Sequence, residues 1–197
     1  MTHKGQGKTV IVTGFGSFGE HSVNPSWLAV KALSNIWDGP SQLITKEIPV
    51  AYKYVKEQIP IMLDKFQPRL VIHVGVSSLV PGQIQLETCA HSNGYIRPDV
   101  NGCCGPLATS DTQCLVTSLD VNTIVKECAC VTMPCIVKSV DAGRYLCEYI
   151  FYTSLQTNSA PVLFVHVPVL EENTVTVETL AAALKTIIQS CLRQINS

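Results

Sequence analysis

Residues 9–19 read TVIVTGFGSFG: a short run of β-branched and apolar residues that breaks abruptly into glycine and phenylalanine. Four further runs share the first half of this pattern, at 43–50, 70–76, 135–140 and 162–167, each rich in Val or Ile and bounded by Gly, Pro or Asp. These five segments predict buried strands. Helix-length patterns separate them. Pro25 behind Asn24 marks a helix start with a capping side chain, with residues 27–33 as the helix body. Val55, Ile59, Met62, Leu63 and Phe66 recur at helical spacing, and Pro60 among them predicts a kink or a new start. Val177, Leu180, Leu184, Ile187, Ile188, Cys191 and Ile195 form the cleanest amphipathic stripe in the chain. Strands alternating with helices predict an α/β fold: a single three-layer α/β/α domain over residues 1–197 with a largely parallel central sheet. Residues 90–118 carry no period and many turn-forming residues, and read as a long loop beside a site.

Composition narrows the function. Of 197 residues, 46% are hydrophobic and 15% charged, which suits a large core and excludes a disordered chain. The net charge of −1 comes with no basic block, so a nucleic-acid partner is not expected. No apolar run approaches the ~20 residues of a membrane span, and the N-terminus does not read as a signal peptide. The cytoplasm is the expected compartment. Nine cysteines, an odd number in a chain of this kind, argue against a disulfide framework. Their spacing lacks the paired ligands of a structural zinc site, and no metal is expected. Most of them read as small buried hydrophobes. The sequence says nothing about oligomeric state.

Ligands of an open parallel sheet bind beyond the carboxyl ends of the strands, and three segments put distinctive residues there. In 9–19, the glycines lack the third member of a dinucleotide fingerprint, and Phe15 and Phe18 read either as core lids or as ligand walls. No phosphate loop or basic cluster supports a nucleoside phosphorylase. In 135–149 (CIVKSVDAGRYLCEY), Ser139 and Asp141 read as helix caps ahead of Cys147. A thiol at a helix start is favoured as thiolate, and a buried helix cysteine is the competing reading. In 162–168 (VLFVHVP), His166 nears the end of a buried strand, but His73 in LVIHVGV has the same surroundings. Local pattern does not choose between the two histidines.

Taken together, TGFGSFG, VNPSW at 23–27, HVGVS at 73–77, LE at 86–87, AGRYLC at 142–147 and FVHVP at 164–168 resemble the pyroglutamyl-peptidase I family of cysteine exopeptidases, and its animal members most. The resemblance implies hydrolysis of the amide after an N-terminal pyroglutamyl residue, small peptides as substrates, and no cofactor. It implies Cys147 as nucleophile, His166 as general base and acid, and Glu87 as the carboxylate orienting the histidine. Phe15 and Phe18 fall where the family lines its pyroglutamyl pocket, Asn24 where a polar side chain supports it, and Tyr145 and Leu146 at the pocket wall. Arg97 stands ten residues after the glutamate, the spacing of an arginine in bacterial members, and is a candidate for the oxyanion. Backbone N–H groups at the helix start are further candidates. The chain departs from the family at Ser17, at Glu148 (where bacterial members have asparagine) and at Val169. These departures define the alternative reading, a relative that binds peptides or a protein partner through the same pocket without efficient hydrolysis.

Overall fold

Along Leu70–Val76 every second side chain turns to the same side of the sheet, and this period of two builds two cores at once. The computed structural model describes residues 8–18, 23–77, 82–129, 134–171 and 174–196. In chain order the elements are β1 (Thr9–Phe15), α1 (Pro25–Ile36), β2 (Gln42–Ile48), α2 (Tyr52–Phe66), β3 (Leu70–Val76), β4 (Gln83–Glu87), β5 (Cys89–His91), β6 (Cys114–Val116), α3 (Val121–Cys128), β7 (Cys135–Ser139), α4 (Leu146–Thr157), β8 (Val162–Val167) and α5 (Val177–Asn196). The main sheet has the order β2-β1-β3-β8-β4-β7, and β5 and β6 form a separate antiparallel ribbon. Every pairing in the main sheet is parallel except β4 with β8.

Val10, Val12, Leu70, Ile72, Val74, Leu163 and Val165 point to one face, where α1, α3 and α5 cover them. Ile11, Phe15, Val71, Val162 and Phe164 point to the other, under α2 and α4. The expected α/β architecture with a largely parallel sheet is present. Among the described residues no helix is long and apolar enough to cross a membrane.

Details differ from the sequence reading. The runs at 70–76 and 162–167 are strands, buried along nearly their whole length. Those at 43–50 and 135–140 become β2 and β7, which lie at the two sheet edges and are partly exposed, because an edge strand has a neighbour on one side only. The loop expected at 90–118 contains β6 and the end of β5. The helix α2 runs from Tyr52 to Phe66 through Pro60 without a new start. Asn24 caps α1 as expected, its Oδ1 accepting from the Ser26 N–H at 3.0 Å with Pro25 behind it. The cysteines are the largest correction. Of the eight described, none in a disulfide, only Cys128 and Cys191 are buried, and Cys103, Cys104, Cys114 and Cys135 are exposed. They lie on the 90–118 segment and an edge strand rather than on core-facing positions. Cys130 falls outside the described residues.

His73 is fully buried, with Nδ1 2.7 Å from Thr13 Oγ1 and Nε2 2.7 Å from Ser154 Oγ. It ties β1 and β3 to α4 as a neutral ring, and burial pushes its pKa down to about 3. A base whose folded pKa is depressed gives full stability above its unfolded value near 6.5 and loses it as pH falls. At pH 5 this loss is about 2 kcal/mol, from ~1.36 kcal/mol per pH unit. Between pH 7 and pH 5 the urea-unfolding free energy of His73→Gln should therefore fall by less than that of the native chain. Equal losses in both would remove His73 from the account.

Candidate active site

The chemistry collects where β3, β8 and β4 lie side by side under the first turn of α4. In the parallel register of β3 with β8, Gly75 stands opposite His166. In the antiparallel register of β4 with β8, His166 stands opposite Gln85, so Glu87 is its diagonal neighbour on the same face. The diagonal closes in a hydrogen bond of 2.8 Å between His166 Nδ1 and Glu87 Oε1. Both residues are buried.

Cys147 is the second residue of α4, half-buried, and its sulfur lies over Gly75, the β3 residue opposite His166. With Nδ1 engaged by Glu87, Nε2 is the ring nitrogen left for another partner. Burial disfavours the imidazolium, but the Cys147 sulfur and the Glu87 carboxylate outweigh it and push the His166 pKa up to about 9. The geometry therefore favours the protonated ring. Among the described residues the second carboxylate oxygen of Glu87 has no hydrogen-bond partner.

The sulfur rests on Gly75. A Cβ there would stand 2.7 Å from Cys147 Sγ and 2.8 Å from the Phe164 ring. Gly75 is a functional residue that the sequence reading passed over. Its signal was present as the glycine two residues after His73, in a strand otherwise made of large residues, where glycine marks a close approach.

The start of α4 is built differently from expectation. Ser139 and Asp141 do not cap it; they shape the preceding turn, where Asp141 Oδ1 accepts from the Gly143 N–H at 3.1 Å and from Arg144 at 2.8 Å. Tyr145 is the N-cap, and its side chain makes no capping hydrogen bond. The first N–H groups of the helix, including that of Cys147, are thus left without a side-chain cap beside the thiol. Together with the helix dipole they favour a developing anion there.

The pocket candidates divide. Phe15 and Leu146 are buried and share the α2/α4 core with the half-buried Phe18 and Tyr145. Asn24 is buried behind the β1 turn, donating from Nδ2 to the Gly16 carbonyl at 3.0 Å, while Ser26 Oγ donates to its Oδ1 at 2.8 Å. It holds the turn that carries both phenylalanines. Arg97 is exposed, with its guanidinium 4.4 Å above the Tyr145 ring. Tyr145 in turn donates to the Pro98 carbonyl at 3.1 Å. Asp99, in the stretch read as aperiodic, pins this loop. Its Oδ2 accepts from the Tyr52 N–H at the start of α2, and its Oδ1 from Asn101 and Cys103.

A thiol, an imidazole and a carboxylate in sequence, above a glycine and at an open helix N-terminus, make up the working parts of a cysteine hydrolase. The comparisons with known proteins agree. The family model described as pyroglutamyl peptidase matches residues 8–195. Pyroglutamyl-peptidase 1 of Homo sapiens is 39% identical over 195 residues, covering 94% of this chain and 90% of that protein. Pyrrolidone-carboxylate peptidase of Thermococcus onnurineus is 28% identical over 194 residues, covering 92% and 94%. The crystal structure of pyroglutamyl peptidase I from Bacillus amyloliquefaciens superposes with a TM-score of 0.82 at 25% identity, covering 94% of this chain and 95% of that one. A mutant pyrrolidone carboxyl peptidase from Pyrococcus furiosus superposes at 0.83 with 26% identity, covering 94% and 99%. The chain belongs to the pyroglutamyl peptidase family, a family of cysteine peptidases.

Gly75 supplies a direct check of the geometry. In Gly75→Ala the added methyl forces the sulfur away from His166, and a misplacement of this size costs on the order of a hundredfold in rate. Initial rates of pyroglutamyl amide hydrolysis should show that loss while the far-ultraviolet circular dichroism stays native. Native rates in the alanine variant would mean that the sulfur does not depend on this approach.

Proposed function

We propose that this chain hydrolyses the amide bond after an N-terminal pyroglutamyl residue of small peptides, with Cys147 as nucleophile, His166 as base and acid, and Glu87 as its orienting carboxylate. The observation that carries the reading is the Glu87–His166 hydrogen bond beside the Cys147 sulfur, which lies over Gly75, opposite His166, at the uncapped start of α4. The thiolate attacks the carbonyl carbon that joins the pyroglutamyl ring to the next residue. The carbonyl oxygen becomes an oxyanion facing the first N–H groups of α4, where one such donor contributes ~3 kcal/mol. Collapse of the adduct breaks the C–N bond, and His166 Nε2 gives its proton to the departing amine. A thioester remains on Cys147. His166, now neutral, takes a proton from water, the hydroxide attacks the thioester, and collapse of that adduct breaks the C–S bond, releasing pyroglutamic acid and restoring the Cys147 thiolate beside the protonated ring. Glu87 keeps Nδ1 protonated throughout and stabilises the cationic ring.

Phe15, Phe18, Tyr145 and Leu146 form the wall of the pyroglutamyl pocket in this reading, with Asn24 holding the turn beneath. A flat, uncharged lactam suits apolar and aromatic walls, whereas a free ammonium loses its hydration without gaining a carboxylate partner. Arg97, stacked on Tyr145, is a second candidate to face the oxyanion. The departures at Ser17 and Val169 lie on exposed residues, outside the triad's contacts. Free thiols suit a reducing compartment, and we assign the enzyme to the cytoplasm.

Three substitutions and two substrates test this reading. Cys147→Ser and His166→Ala should each lower kcat by several orders of magnitude, and Glu87→Gln should lower kcat more than it raises KM. With the native chain, kcat/KM for pyroglutamyl-alanine should exceed that for prolyl-alanine by more than about a thousandfold, the cost of leaving lactam-binding groups unpaired. Comparable cleavage of the two dipeptides, or full activity in the serine variant, would overturn the reading.

The pH profile provides a further check. His166 must be protonated to deliver its proton, so kcat should fall as pH rises through about 9. A limb falling near the ordinary histidine value of about 6.5 would show that the imidazolium is not stabilised.

A further inference from the structure

Immediately after the nucleophile stands a carboxylate with no part in the chemistry above. The Glu148 side chain has no solvent exposure at all. Its Oε1 accepts from His91 Nδ1 at 2.8 Å and from the His91 N–H at 3.2 Å. Arg144 Nη1 donates to both of its oxygens, each at 2.9 Å. Arg144 also bonds Asp141, on the turn before α4. Burial raises the Glu148 pKa, with the His91 and Arg144 contacts acting against it. A carboxylate buried against two partly exposed donors is seldom the most stable filling for its space; a well-packed apolar group often does as well. What it supplies is a fixed relation between the segments that hold its ends.

Those segments carry two of the three triad members, Glu87 and Cys147. His91 ends β5, which follows β4 across Thr88, so His91 lies four residues beyond Glu87. Glu148 and Arg144 flank Cys147 at the start of α4. The helix has no side-chain cap at Tyr145 to fix its first turn. We infer that Glu148 is a positioning residue for the hydrolysis: by clamping His91 and Arg144 it locks the first turn of α4, and with it Cys147, to the β4–β5 segment that presents Glu87 to His166. This inference rests on the reading of Cys147, His166 and Glu87 as the working residues. The charged and titratable groups around the clamp are His91 from β5, Arg144 and Asp141 from the turn, and Tyr95 and Cys89, which feel the Glu148 charge.

The test compares Glu148→Gln, His91→Ala and His91→Asn with the native enzyme, by steady-state hydrolysis of a pyroglutamyl amide at 20 °C and by thermal melting. An inactive native enzyme would overturn the functional reading itself, separately from the clamp. With an active native enzyme, Glu148→Gln and His91→Ala should each lower kcat by about tenfold to a hundredfold while KM stays within about threefold, as expected for displaced reacting groups. His91→Asn, whose amide nitrogen reproduces the donor at Nδ1, should recover most of the loss in the alanine variant. If Glu148→Gln does not fold, the two His91 variants decide alone, since that side chain is 24% exposed and outside the core. Two results overturn the clamp: a lower melting temperature with kcat unchanged in the folded variants, or a raised KM with kcat unchanged, which would place the network on the substrate.

Discussion

The site depends on one antiparallel pairing in a sheet whose other pairings are parallel. The strand β4 runs against β8, with Gln85 opposite His166 and Glu87 opposite Phe164. The diagonal of the ladder delivers Glu87 to His166 Nδ1 at 2.8 Å. The other features follow from holding that ring. With one nitrogen engaged, the other is left for another partner. A sulfur that close to the strands leaves no room above β3 for a side chain, hence Gly75.

Charge is handled differently at the two ends of this small region. Glu87 and His166 share a buried contact; burial lowers the pKa of the ring, and the Cys147 sulfur and the Glu87 carboxylate together raise it to about 9. A few ångströms along the chain, Glu148 is buried with two donors, neither of which reacts. The two carboxylates do not share a partner. The first engages an imidazole at one nitrogen, and the second joins the end of β5 to the turn before α4. The core beneath contributes a third kind of polar contact, the neutral bridge of His73 to Thr13 and Ser154, which joins β1 and α4 without a charge.

How much of this was legible in the sequence follows the range of each interaction. The strands at 70–76 and 162–167 declare themselves because burial on both faces requires continuous apolar runs. The cap at Asn24 and the stripe of α5 are local patterns, and both were readable. The strand β4 has five residues, β5 and β6 three each, and α3 eight, all too short for a period to stand out. His73 and His166 could not be told apart because they share a face and differ only in depth. His73 stands opposite Phe164, and His166 opposite Gly75, a pairing that no local window contains. The catalytic assignment therefore came from resemblance, and Gly75 and Glu148 required coordinates. The exposed cysteines misled for a related reason: composition records how many there are, whereas their surroundings depend on where the 90–118 segment and β7 lie.

Those outer sulfurs affect how active sites of this enzyme can be counted. Cys103, Cys104, Cys114 and Cys135 face solvent, whereas Cys147 is half-buried beside its imidazole. An electrophile that selects by access alone would consume several equivalents per chain, and its stoichiometry would measure surface rather than competence. An electrophile built on the lactam ring would be drawn instead to Cys147 by the proposed pocket. Its incorporation at one equivalent would report the fraction of molecules with an assembled centre.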